Sequence, residues 1–141
     1  MRYLGIDLGS KTVGLAISDT TLTIASSLKT IFFKDEDYLS TIDEIKNIIK
    51  EYDIQKIILG LPKNMNNTLG EAVERTLTFK EKLEASVNKT INLVDERLST
   101  VEAERALIGA DMSRKNRKEV IDSVAASIIL DTYLKRIGSG K

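Results

Sequence analysis

Apolar and polar positions alternate along two short runs at the start of the chain, RYLGIDL and TVGLAISD, with Gly9-Ser10-Lys11 between them. That period of two, broken by a glycine turn, predicts a β-hairpin with strands over 2–8 and 12–19. A third β-rich stretch, Ser27 to Phe33, follows a threonine-rich turn and completes an antiparallel meander. The period then lengthens. Leu39, Ile42, Ile45, Ile48, Ile49 and Tyr52 recur at steps of three or four, an apolar stripe that predicts a helix over 37–52. Asp35, Glu36 and Asp37 at its entry suit the positive end of its dipole.

QKIILGLP, 55–62, has three consecutive large apolar residues and reads as a strand buried on both faces, closed by Gly60 and Pro62. Lys63 to Thr68 is a polar loop in which Asn66-Asn67 accepts a tight turn. A looser stripe of Val73, Leu77, Leu83 and Val87, with Phe79 beside it, predicts a helix over 70–87. TINLVD, 90–95, is a fifth strand, and Ser99 with Glu102 forms a capping box for a helix over 100–108. A positively charged loop over 109–118 leads to a last helix over 117–136, with Ile121, Val124, Ala125 and Ile128 inward.

The order β-β-β-α-β-α-β-α-α is a meander followed by βα units, an α/β arrangement. Right-handed crossovers lay the later strands parallel beside strand 1, which then sits mid-sheet with a natural site at its end. One domain over 1–137 is expected, with a frayed tail at 138–141. At 141 residues such a domain buries roughly 68–70% of its unfolded surface. No apolar run approaches the ~18–20 residues of a membrane span, and no basic-then-apolar leader opens the chain, so a soluble, cytoplasmic protein without membrane partners is expected.

Composition narrows the chemistry. The chain has neither cysteine nor histidine, so thiolate sites, disulfides and the commonest general base are excluded. Catalysis has to come from carboxylates, lysines, hydroxyls or a hard metal held through oxygen. Lysine plus arginine equals aspartate plus glutamate at 21 each, so attraction to nucleic acid has to come from local patches.

Three acids occupy unusual positions. Asp7 lies on the central strand, where a lone buried carboxylate is costly unless it pairs, binds metal or does chemistry. Glu96 follows the C-terminal end of the fifth strand, the edge where open α/β sheets place ligands. Asp122 lies in the first turns of the last helix, ahead of Ala125-Ala126, whose small side chains let a helix approach the sheet closely. Converging, they form an oxygen cage for Mg²⁺ or Mn²⁺. Two such ions about 3.5–4 Å apart clamp the attacking and leaving oxygens of a phosphodiester. Apart, each acid is a cap or half an ion pair.

Arg114, Lys115, Arg117 and Lys118 place four cations beside the helix that bears Asp122, and Lys11 and Lys63 on loops at neighbouring strand ends extend a surface suited to a phosphate backbone. Arg97 contacts a phosphate or pairs with a carboxylate. Ser10-Lys11 as nucleophile and base is disfavoured, because adjacent turn residues seldom face each other. With three Phe, four Tyr and no Trp, a base-stacking platform is not expected.

Four blocks, GIDLGSKTVGLAISD, ILGLPKNMNNT with Phe79 after it, VDERLSTVEAE and IDSVAASIIL, resemble the YqgF/RuvX family of bacteria. These RNase H-like proteins are described as Holliday-junction resolvases and as nucleases maturing the 5′ end of small-subunit ribosomal RNA. The blocks keep the family's order over about 5–130. The resemblance implies an RNase H-like fold, a mixed five-stranded sheet of order 3-2-1-4-5 with strand 2 antiparallel, flanked by helices. It carries the acidic, metal-binding catalytic site onto Asp7, Glu96 and Asp122. Asn66-Asn67 stand where the family usually has Asp-Gly. Junction resolvases of related fold carry a fourth acid one turn from the third; here Ser123, Ala125 and Ala126 stand nearby, which implies a weaker hold on a second ion. The implied activity is a metal-dependent nuclease, with rRNA precursor favoured over junction DNA, acting as a monomer or homodimer. A non-catalytic nucleic-acid-binding module is the reading from another class. The D-x-G-x-x-x-x-G-x-A pattern from Asp7 also resembles the phosphate hairpin of actin-like ATPases, which need two such domains.

Overall fold

The computed structural model describes the backbone of residues 2–9, 11–34, 37–61, 71–95 and 114–139, and the side chains among them except at 71–72, 95, 114–122 and 136–139. Strands form where the pattern alternates. β1 (Arg2–Leu8) and β2 (Thr12–Ser18) pair antiparallel, with Gly5 opposite Ala16 and Asp7 opposite Gly14. The Gly9 N–H closes the hairpin by donating to the Thr12 carbonyl at 2.7 Å. β3 (Ala25–Phe32) pairs antiparallel with β2, while β4 (Ile54–Leu61) lies parallel to β1 and β5 (Thr90–Asp95) parallel to β4. The result is a mixed five-stranded sheet of order β3-β2-β1-β4-β5, the order the family resemblance implies.

The period of two sorts the sheet's side chains onto two cores. On one face Leu4, Ile6, Leu8, Val13, Leu15, Ile57 and Leu59 pack against α1 (Ile42–Glu51) and α2 (Glu71–Val87). On the other, Ala16, Ile58 and Val94 pack against α3 (Arg114–Ser139). β4 supplies both cores, which is why it reads as a continuous apolar run rather than an alternating one. No helix among the described residues is long and apolar enough to cross a membrane.

Several expected boundaries and faces move. The helix expected over 37–52 begins as a 3₁₀ turn, Tyr38–Thr41, and becomes α-helical at Ile42. The Ser40 and Thr41 hydroxyls donate to the carbonyls of Asp37 and Tyr38 at 2.7 and 2.6 Å, a local alternative to α-helical bonding. The tighter turn leaves Leu39 41% exposed instead of inward. On α2 the buried row is Thr76, Phe79 and Leu83, with Val87 packed beside it. Phe79 is thus the centre of the stripe, and Leu77, expected inward, is 45% exposed. On α3 the fully buried residues are Ala125, Ala126, Ile129 and Leu130, and the partly exposed Val124 and Ile128 flank them. That helix is rotated by about one position from expectation. It is also longer at both ends, starting at Arg114 and running through Gly138 and Ser139. The expected helix over 100–108 and its capping box lie outside the described residues.

Candidate active site

Asp7 is the sixth residue of β1 and is 5% exposed. Its neighbour across the hairpin is Gly14, which brings no side chain against it. By strand alternation Asp7 faces the same side as Tyr3 and Gly5, and that is the side covered by α3. A Cβ built on Gly5 would lie 2.9 Å from the Ala126 carbonyl oxygen and 2.9 Å from Leu130 Cβ. The helix backbone therefore rests directly on the strand at this point. Two residues earlier, the Tyr3 ring meets Tyr133 at 6.2 Å between centroids.

These contacts give the helix its direction. Moving up β1 from Tyr3 to Gly5 moves down α3 from Tyr133 to the Ala126–Leu130 turn. A strand step of two residues spans about 6.7 Å, which matches four to five helical residues at ~1.5 Å each. One further step, to Asp7, brings the strand level with the helical turn that begins at position 122. Position 122 lies one turn before Ala126 on the same i, i+4 row. Two acids far apart in sequence thus stand on elements packed together, at one level of the fold.

Two further contacts hold α3 in this seat, and neither is visible in the local sequence pattern. The Ser27 hydroxyl of β3 donates to the Ser123 carbonyl at 3.2 Å, next to position 122. At the helix's other end the Tyr133 hydroxyl accepts from Lys56 Nζ at 3.2 Å and Asn92 Nδ2 at 3.3 Å. The Lys56 ammonium also lies 5.5 Å from the Tyr3 ring centre and 5.6 Å from that of Tyr133. The signal was a lysine inside an apolar strand. Such a residue needs a partner, and its partners come from β1 and α3, too far along the chain for local periodicity to link.

Of the other expected site residues, Lys11 is exposed on the hairpin turn beyond the end of β1. Arg114, Lys115, Arg117 and Lys118 form the first turns of α3 rather than a loop. Between Asp111 and Ile137 there is neither glycine nor proline, so nothing in that stretch stops a helix, and the charge alone had suggested a loop. Glu96, Arg97 and Lys63 lie outside the described residues, as does the side chain of Asp122. Among the described residues no group of three potential ligands is assembled. Glu96 follows Asp95, whose backbone pairs with Leu61 at the same edge of the sheet where β1 ends. The donors available are oxygens only, because the chain has no histidine or cysteine. A buried carboxylate at a strand end fits a hard divalent cation.

A family model described as RuvX, Holliday junction resolvase, matches residues 1–136. A Listeria monocytogenes protein named "Putative pre-16S rRNA nuclease" is 48% identical over 134 residues, covering 95% of this chain and 97% of that protein. A Bacillus cereus protein of the same name is 48% identical over 136 residues, covering 96% and 99%. Among solved structures, Thermus thermophilus RuvC in complex with a Holliday junction substrate superposes with a TM-score of 0.63 at 14% identity, covering 99% of this chain and 97% of that one. That likeness is one of fold.

Proposed function

The chain belongs to the RuvX family of Holliday junction resolvases, and from that membership we propose that it is a divalent-metal-dependent endonuclease acting on structured nucleic acid. The relatives' name favours the 5′ end of pre-16S rRNA as its substrate. The observation that carries the reading is Asp7, a buried carboxylate at the end of the central strand, level with the turn of α3 that begins at Asp122.

Asp7, Glu96 and Asp122 are the residues that would hold the metal, Mg²⁺ or Mn²⁺. When bound, the ions supply Lewis-acid stabilisation of the charge that develops on a phosphodiester being hydrolysed. The protein's own part is placement. Gly5 lets α3 settle on β1, Gly14 leaves room beside the Asp7 carboxylate, and burial excludes water that would screen its charge. The cationic first turns of α3 and Lys11 lie at the same end of the fold and would seat flanking phosphates.

The test is cleavage of end-labelled substrates by wild type and Asp7→Asn in Mg²⁺, Mn²⁺ and EDTA. The panel holds an rRNA leader fragment, an unstructured RNA and a four-way DNA junction. Metal-dependent cutting of the leader that Asp7→Asn loses supports the reading. The family's description favours a second reading, junction resolution; paired symmetric cuts confined to the DNA junction would establish it instead. Binding without cleavage of any substrate would make the protein a nucleic-acid-binding module.

A further inference from the structure

A second cationic feature lies away from Asp7. Lys46, Asn47, Ile49 and Lys50 of α1, with Ser86 and Val87 of α2 and the following Lys89, line a half-open cavity of about 430 Å³. It sits where both helices end. α1 ends just before β4 begins and α2 just before β5 begins, so the cavity marks the edge of the sheet where the parallel strands start. Asp7 is at the other edge, on the other face. The cavity therefore does not belong to the candidate active site.

Its floor is apolar, with Ile49 buried and Val87 packed against the core, and its rim carries three ammonium groups. No acid lines it. Among the described residues none of the three lysines forms an ion pair, whereas Lys29, Lys80 and Lys135 pair with Glu44, Glu84 and Asp131. Lysines near helix ends often serve to neutralise the dipole and cap carbonyls. Here backbone groups do the capping: Tyr52 N–H donates to Ile48 O at 3.0 Å, and Asn88 N–H to Glu84 O at 3.1 Å. Two helix C-termini contribute about −0.5 charge each, against three positive charges on the rim, so the field in the cavity stays positive. With the chain's formal net charge at zero, this concentration is local.

We propose that this cavity is a second nucleic-acid contact, taking a backbone phosphate of single-stranded RNA on Lys46, Lys50 and Lys89, with the ribose over Ile49 and Val87. The volume suits a nucleotide unit, since small-molecule pockets run from roughly 300 to 1,000 Å³. A side-chain carboxylate would leave most of the floor uncovered. The choice of RNA rests on the proposed rRNA substrate; the contact itself does not depend on the cleavage chemistry.

The experiment is an amide-resolved NMR titration in EDTA, where nothing is cut, together with the salt dependence of RNA affinity by fluorescence anisotropy. The probes are a single-stranded RNA oligomer, AMP and poly-glutamate. RNA is expected to shift the amides of residues 46–50 and 86–89. The triple variant Lys46→Gln, Lys50→Gln, Lys89→Gln is expected to lose those shifts, retain the dispersion of a folded protein, and lower the slope of log K against log salt by about 0.7, the value for one phosphate contact on a single strand. A charge-matched control, Lys34→Gln, Lys82→Gln, Lys135→Gln, is expected to keep the shifts at 46–50 and 86–89. RNA shifts absent from those amides, or an unchanged slope in the first variant, would overturn the proposal. AMP shifting them where RNA does not would assign the site to a free nucleotide. Equal shifts from poly-glutamate would assign it to an acidic protein. If the protein cuts no substrate and yet shows the expected slope change, the nuclease reading fails and this one stands.

Discussion

Gly5 of β1 and Ala126 of α3 meet backbone to backbone: a Cβ on Gly5 would sit 2.9 Å from the Ala126 carbonyl oxygen. A helix carbonyl cannot rotate away as the tip of a side chain can, so either the helix lifts or the strand bends. Gly5→Ala is therefore expected to lower stability by about 1–3 kcal/mol, the usual range for overpacking. Gly5→Val should lower it further. The urea midpoint measures this. Because α3 also carries Asp122, Gly5→Ala is expected to cut less well even where it is fully folded.

Asp7→Asn keeps the shape of the side chain and removes its charge. The amide fills the same volume, so the variant is expected to keep a cooperative thermal transition, which separates loss of cutting from loss of fold. Cleavage in Mg²⁺ is expected to fall by at least ~100-fold, corresponding to the several kcal/mol of charge stabilisation a bound metal supplies. A variant that cuts like wild type would remove Asp7 from the site.

The sheet was legible because its strands alternate. β1, β2 and β5 were bounded to within a residue, and the position of Asp7 on an otherwise apolar strand marked it for function. What escaped came from contacts that local periodicity does not encode. Leu77 and Phe79 are both large and apolar and differ by two positions; the face that α2 turns to the core holds Phe79 and leaves Leu77 exposed. The rotation of α3 by one position follows from its backbone resting on Gly5, a contact across more than a hundred residues. Charge in the basic stretch 114–118 suggests a loop, but with no glycine or proline to stop it the stretch is helical. Nothing in the local pattern around Lys56 points to its partners, because they are supplied by two other elements, β1 and α3.

The β2–β3 connection has a pH signature. Asp19 Oδ1 accepts the N–H groups of Ile24 at 3.0 Å and Thr23 at 2.8 Å, and Oδ2 accepts from the Thr21 hydroxyl. These bonds, the Ile24 N–H foremost, hold its carboxyl near a pKa of about 2, below the ordinary 3.8. The folded value is depressed, so this contribution is complete above the unfolded pKa. It disappears as pH falls from about 4 through about 2. Denaturant melts of wild type and Asp19→Asn are expected to differ at pH 5 and to converge as pH falls below about 2. A constant difference across that range would show that the turn's stability does not depend on ionised Asp19.

The Tyr133 hydroxyl joins side chains of two strands, β4 and β5, to α3. Tyr133→Phe keeps the ring beside Tyr3 and beneath the Lys56 ammonium but removes the acceptor shared by Lys56 and Asn92. Both donors lie partly buried, so part of their desolvation is left uncompensated. The expected loss is about 1–2 kcal/mol of unfolding free energy. The loss alone would not show which donor matters. A double-mutant cycle with Lys56→Met does, because Lys56→Met should destabilise the wild type more than it destabilises Tyr133→Phe. A coupling of at least about 0.5 kcal/mol assigns the bond to that pair. Additive effects would leave Asn92 as the donor that holds the hydroxyl and Lys56 as a cation seated on the two rings.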